Sequence, residues 1–290
     1  MKPHKRFLNH PKHFWAHVRS VSQHIGYTER GSQRIKVPTV QGIRTALEEL
    51  ELETSHLISD RQEPTEFGLD LAAYFEYRAE VLYDAVRSHL MDVSKARKAF
   101  RGLKRKLRPK CHLPMNKQSG NKKAEAYFTG IINMLIEANS EGMPCDYNPM
   151  ELTSITFDGA PLRTLARRVD GAFPSTVNPV AVWEIKEYYY TTTFGSRVAD
   201  GVYESLLDGM ELEELREHEN IDVKHYLMVD DYNTWWNMGR SYLCRIIDML
   251  HMGYLDEVLF GSEVVERLPA IVKEWVALAR QRDESTTSRS

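Results

Sequence analysis

The chain has 290 residues, of which 42% are hydrophobic and 27% charged, with a net charge of −3. This is the balance of a folding globular chain, sized for one large domain or two modest ones, and it excludes a highly charged disordered polymer. No run of about 18 apolar residues is present and the basic N-terminus has no apolar signal core, so neither a membrane span nor a secretory leader is expected.

The small net charge conceals an asymmetry. Residues 1–123 carry 24 Lys and Arg against 13 Asp and Glu, and residues 124–290 carry 14 against 28. A basic first part joined to an acidic second part suits an anionic partner gripped mainly by the first. Three widely spaced cysteines, Cys111, Cys145 and Cys244, match no zinc or disulfide spacing and point to a reduced, cytoplasmic compartment.

In chain order, residues 1–12 form a basic arm. Apolar residues at Phe14, Val18, Val21 and Ile25 predict a helix over 13–25. His10, His13 and His17 stand at its start, the last two at i and i+4, without an acid or cysteine to complete a metal site. A short strand is possible at 34–37. Thr39 is placed to cap a helix from Val40 to about Glu53. Two short helices with a basic connector fit either a helix-turn-helix reader or a plain packing module. A helix is expected over 69–91, and Ser94 is a candidate cap for the next. Residues 95–110 then hold nine Lys or Arg and no acid, with Phe100, Leu103 and Leu107 on one helical face. Lys104, Arg105, Lys106 and Arg108 on this segment are candidate phosphate contacts; a solvated basic face is the alternative. The reversal of charge places a boundary near residue 115.

Beyond it, residues 122–138 predict a strong helix with Glu125 in its first turn. A strand near 152–157 and a Gly-Ala-Pro turn follow. The stretch RRVDGAFPSTVNPVAVWEIK, from Arg167 to Lys186, reads as two strands joined by a loop. Side chains alternate along a strand, so Glu184 and Lys186 share one face while Ala181, Trp183 and Ile185 share the other. Glu187 then faces away from the pair and is expected in solvent. The strand is expected to run on into the Tyr188–Thr193 segment, followed by a helix over 196–207 and an exposed acidic segment over 211–220. A buried strand at 223–229, a long helix over 231–252 opened by Trp235 and Trp236, a strand at 255–260, a helix over 264–279 and a disordered tail complete the chain. The expected organisation is a helical basic region over 1–115, a core over 116–280 and a tail over 281–290. The expected fold is α/β, with a mixed central sheet flanked by helices. No Walker loop, GxGxxG, CxxC or HExxH is present, which removes kinases, dinucleotide enzymes and zincins as leading ideas.

Asp170 on one strand and Glu184-Ile185-Lys186 on the next, within this order of elements, resemble the PD-(D/E)XK nuclease superfamily, and most closely its Type II restriction endonucleases. The resemblance covers about residues 122–262. Val169 stands where the motif's proline would be. The resemblance implies a restriction-endonuclease-like core, and a Mg²⁺ ion held by Asp170, Glu184 and the Ile185 carbonyl, with Glu125 as an additional acid. It implies Lys186 as the group that orients the attacking water, and double-stranded DNA cut to 5′-phosphate ends. A homodimer is implied by a twofold target, with a cognate methyltransferase in the same system but not in contact. Arg197, opening the next helix, is a candidate phosphate contact, and Tyr188–Thr193 a candidate lining of the DNA groove. A Glu-x-Lys pair on a strand is also common as a plain surface pair. The alternatives are another nuclease of this superfamily, in phage defence, transposition or repair, and a non-catalytic DNA-binding protein.

Overall fold

The computed structural model describes residues 1–116, 124–190 and 195–287, without the side chains of residues 196, 197, 283 and 285–287. A four-stranded sheet organises the core, in the order β3 (Gly171–Phe173), β4 (Ala181–Glu187), β5 (Lys224–Asp230) and β6 (Glu257–Phe260). β3 runs antiparallel to β4, and β4, β5 and β6 are mutually parallel. The expected mixed sheet between helices is therefore present. The parallel strands need crossovers, which α8 (Ser196–Glu219) and α9 (Arg240–His251) supply. Parallel strands are covered on both faces, which explains why β5 and β6 are buried almost throughout.

One face of the sheet carries Ala181, Trp183, Tyr226, Met228 and Leu259, packed under α6 (Val93–Leu107), α7 (Tyr127–Asn139) and α10 (Glu263–Thr287). Trp183 stacks on Trp275 of α10 with ring centroids 5.2 Å apart. The opposite face carries Leu227, Val229, Val258 and Phe260 against α8 and α9. A separate helical cluster of α2 (Lys12–Ile25), α3 (Val40–Glu48) and α4 (Glu66–Val81) packs around Phe14, Tyr74 and Phe75. The four-residue α1 (Lys5–Leu8) precedes it, and a π-turn over Leu82–Val86 and the three-residue α5 (Arg87–His89) lead from it into α6. A hairpin of β1 (Ser154–Phe157) and β2 (Ala160–Thr164) stands apart from the main sheet.

Several expectations are corrected. The expected helix over 122–138 begins at Tyr127; residues 122 and 123 lie outside the described ones. Glu125 precedes the helix and bridges Met115, because residues 124–126 run beside the chain at 114–116. The cap of α6 is Asp92, which accepts from the Lys95 amide at 2.8 Å, and Ser94 lies inside the helix. α3 stops at Glu48, short of Glu53, where Glu51 takes φ of +58° and Leu50 turns outward. The turn after β1 is Asp158-Gly159, both at positive φ, and the Ala-Pro pair begins β2, an edge strand that tolerates proline. β4 ends at Glu187, so Tyr188–Tyr190 are not strand; Thr191–Thr193 lie outside the described residues. α8 runs on to Glu219, through the segment expected to be exposed and acidic, since Leu212 and Leu215 bury one side of it. The 231–252 helix is broken at Gly239 between a π-turn over Asn233–Met238 and α9. α10 accepts Pro269 and continues to Thr287, across most of the tail expected to be disordered.

Candidate active site

Asp170 sits immediately before β3, and Glu184 and Lys186 lie on β4. Pairing of the two strands draws them together. The Asp170 amide donates to Glu184 Oε1 at 3.1 Å, and the Ile185 amide donates to Asp170 Oδ2 at 2.8 Å. Lys186 Nζ lies 2.8 Å from Glu184 Oε2. Glu184 has no exposed surface, because α8 lies over this face. The lysine passes beneath α8 at Gly201, where a Cβ would come within 3.0 Å of Lys186 Cδ. A glycine is what admits the lysine's stem there.

Three further charged groups, given no role in the sequence reading, complete the cluster. Arg167 donates through Nη1 to Glu184 Oε1 at 2.8 Å and to Asp208 Oδ2 at 2.6 Å, and through Nη2 to Glu184 Oε2 at 3.2 Å. Glu204 accepts from Lys186 at 2.8 Å and keeps 41% of its side chain exposed. Asp208 is fully buried. A signal for the α8 pair was present: Glu204 and Asp208 stand at i and i+4, beside Gly201 and Ser205, on a face that an ordinary core helix would fill with aliphatic residues.

Four carboxylates surround two cations, and their ionisation reflects it. Burial alone would raise the Glu184 carboxyl, but the Lys186 and Arg167 charges overcome it and hold it below the usual range. Asp208 is pushed up to about 7 by burial and then by the Glu184 charge. Asp170 is pushed up to about 6 by the same two causes in the same order, although the residue keeps an exposed flank through which water reaches it. Lys186 loses hydration on burial, yet the Glu184 and Asp170 charges raise its ammonium and keep it charged. Two buried atoms at this face have no hydrogen-bond partner among the described residues, Asp208 Oδ1 and His225 Nε2. His225 is held below its usual range by burial, so its imidazole is neutral.

The remaining sequence candidates are distributed differently. Glu125 is not drawn into the cluster and pairs with Lys104 at 2.8 Å. The first core helix is met instead by Glu187, which accepts from the Thr129 amide at 3.0 Å and its hydroxyl at 2.9 Å. Glu187 thus satisfies the start of α7, which has no side-chain cap of its own, and is not a solvated residue. Ile185 is half-buried beside Asp170. On α6, Phe100 is buried against Gly130 of α7, while Arg105 and Lys106 are exposed and make no ion pair among the described residues. Arg108 ends the helix in the left-handed conformation, at φ of +47°. The Arg197 side chain lies outside what is described. Trp235 and Trp236 are buried packing residues.

Carboxylate oxygens are the donors a hard divalent cation takes, so the residues present fit Mg²⁺ in kind, and the partnerless Asp208 Oδ1 is an oxygen such an ion would satisfy. Among the described residues, no three His, Cys, Asp or Glu groups stand in a ready ligand arrangement. The cations now among the acids are the Arg167 guanidinium and the Lys186 ammonium. No helix among the described residues is long and apolar enough to cross a membrane.

One family model, described as Domain of unknown function (DUF7687), matches residues 91–275. A second, Domain of unknown function (DUF7690), matches residues 1–85. No curated protein and no solved structure gives a significant match. The first match takes in α6, the whole main sheet and the charged cluster, more than half of the chain, which therefore belongs to the family described as Domain of unknown function (DUF7687).

Proposed function

We propose that this chain is a metal-dependent endonuclease of the PD-(D/E)XK kind, hydrolysing phosphodiester bonds of double-stranded DNA. In this reading the main sheet and its helices are a restriction-endonuclease-like core. The observation that carries it is the meeting of Asp170, Glu184 and Lys186 at the β3–β4 junction, with every one of them charged or near its titration point. A bound Mg²⁺ would neutralise developing charge on the phosphate and lower the pKa of a bound water. Asp170 and Glu184 would hold it, together with the Ile185 carbonyl. Lys186 stays protonated, and its ammonium would orient the attacking water and stabilise charge on the phosphate. Arg167 must release Glu184 for this, since it now engages both Glu184 oxygens. The exposed cations of α6 would track phosphates. Sequence-specific cutting by a homodimer, as in a Type II restriction system, is the form of the activity proposed, because one site per chain cuts one strand of a twofold target.

The test is cleavage of a long defined DNA with Mg²⁺, for the wild type and for Asp170→Ala and Lys186→Ala. Discrete fragments are expected from the wild type and none from either variant, with DNA binding in Ca²⁺ retained. Cutting by either variant at the wild-type rate would overturn the site assignment.

A second reading rests on the same arginine. With both oxygens of Glu184 spent on Arg167 and Lys186, the cluster is also a closed ion network that could serve a DNA-binding protein without catalysis. Binding by the wild type with no Mg²⁺-dependent cutting of any DNA would favour it.

A further inference from the structure

We propose that a cavity between the N-terminal helices and α8 and α9 is a binding site for a nucleoside monophosphate, a flat heteroaromatic ring carrying a phosphate. The cavity holds about 320 Å³ and is lined from both family-matched segments: Arg19 and Tyr27 from the first, Tyr203 of α8 and Arg245 and Met252 of α9 from the second. That volume lies in the range of small-molecule sites.

Its charge is unbalanced in favour of an anion. Arg245 is half-buried and stacks over the Tyr27 ring at 4.3 Å and the Tyr242 ring at 4.8 Å, yet among the described residues its guanidinium has no hydrogen bond and no ion pair. Arg19 reaches only the Met252 sulfur, at 3.4 Å. Asp248 also borders the cavity, but its carboxylate is engaged by Arg78 and by the Tyr74 hydroxyl. Two guanidinium groups thus keep unspent donors in a partly enclosed space, and guanidinium pairs best with planar or tetrahedral oxyanions such as phosphate. The other wall is aromatic and apolar. Tyr203 leaves 52% of its surface exposed at the rim, with its ring free to meet a ligand, and Leu206 and Met252 continue the wall. A base can stack on such a ring while its phosphate meets the arginines.

The cavity and the charged cluster share α8. Tyr203 and Leu206 face the cavity, while Glu204 and Asp208 face Lys186 and Arg167. The proposal does not depend on hydrolysis at the cluster.

The experiment is calorimetric titration of the full chain with AMP, GMP, CMP and UMP, each against its own nucleoside and against inorganic phosphate. At least one monophosphate is expected to bind, and its nucleoside and phosphate alone to bind about tenfold more weakly or worse, because each keeps only one half of the recognition. Arg245→Gln and Tyr203→Ala should each weaken binding about tenfold, the scale of one charge-assisted hydrogen bond or one stacking contact. Tyr203 is exposed, so its variant tests the site without burdening the fold. Absence of binding by all four monophosphates overturns the proposal. So does phosphate binding as tightly as a monophosphate, or affinity unchanged in both variants.

Discussion

Two buried ion clusters in this molecule are built from similar parts and balanced differently. Arg78 of α4 meets Asp248 of α9 at 3.0 Å, with the Tyr74 hydroxyl on the same carboxylate at 2.6 Å, and both charges are almost fully buried. One cation faces one anion, and the Phe75 and Tyr27 rings stack on the guanidinium. This pair joins the N-terminal helices to the core. At the β4–α8 cluster two cations face four carboxylates, and Glu204 and Asp170 open it to solvent. A balanced, sealed pair holds one arrangement. An anion-rich one stores repulsion, which adds to burial in raising the carboxyls of Asp170 and Asp208, and leaves room for another cation.

Mutation separates the two most sharply at their acids. Asp248→Ala strands the Arg78 charge in the interior and should cost about 3–5 kcal/mol, read as a lowered midpoint in urea unfolding. Asp208→Asn keeps an acceptor for Arg167 and removes a charge that burial and Glu184 already disfavour, so its cost should stay within about 1 kcal/mol. Equal losses in the two variants would erase the distinction between the clusters.

The same acid should also give a slope with pH. Asp208 has a folded pKa of about 7, above its unfolded value of 3.8, so the folded state binds more protons between those limits. Its contribution is present in full below the unfolded value and is lost as pH rises through about 7. Wild-type stability relative to Asp208→Asn should therefore decline from pH 5 to pH 8. Asp170, raised to about 6 and retained in both proteins, cancels in that difference. A difference that stays flat or rises would show that burial and the Glu184 charge do not raise Asp208.

Local chemistry carried much of the fold. The helical spacing of Phe14, Val18 and Val21, the Thr39 cap, and the apolar runs that became β4, β5 and β6 all depend on neighbours within a few residues. Errors collected where distant contacts decide. Residues 124–126 are held beside the 114–116 segment, α8 is prolonged by burial of Leu212 and Leu215, and Glu187 is drawn to the start of α7 across 58 positions of sequence.

The candidate site divides in the same way. The sequence alone determined that Glu184 and Lys186 share a face of one strand, since alternation along a strand is a local property, and it placed Asp170 on the adjoining segment, where it stands just before β3. Only the tertiary structure decided which other charges join them. Arg167, Glu204 and Asp208 are brought in by strand pairing and by the crossover of α8 over the sheet, and Glu125 is left with Lys104. The physical reason is that ion pairing depends on distance through space, and the protonation of each carboxyl on the charges that folding places around it.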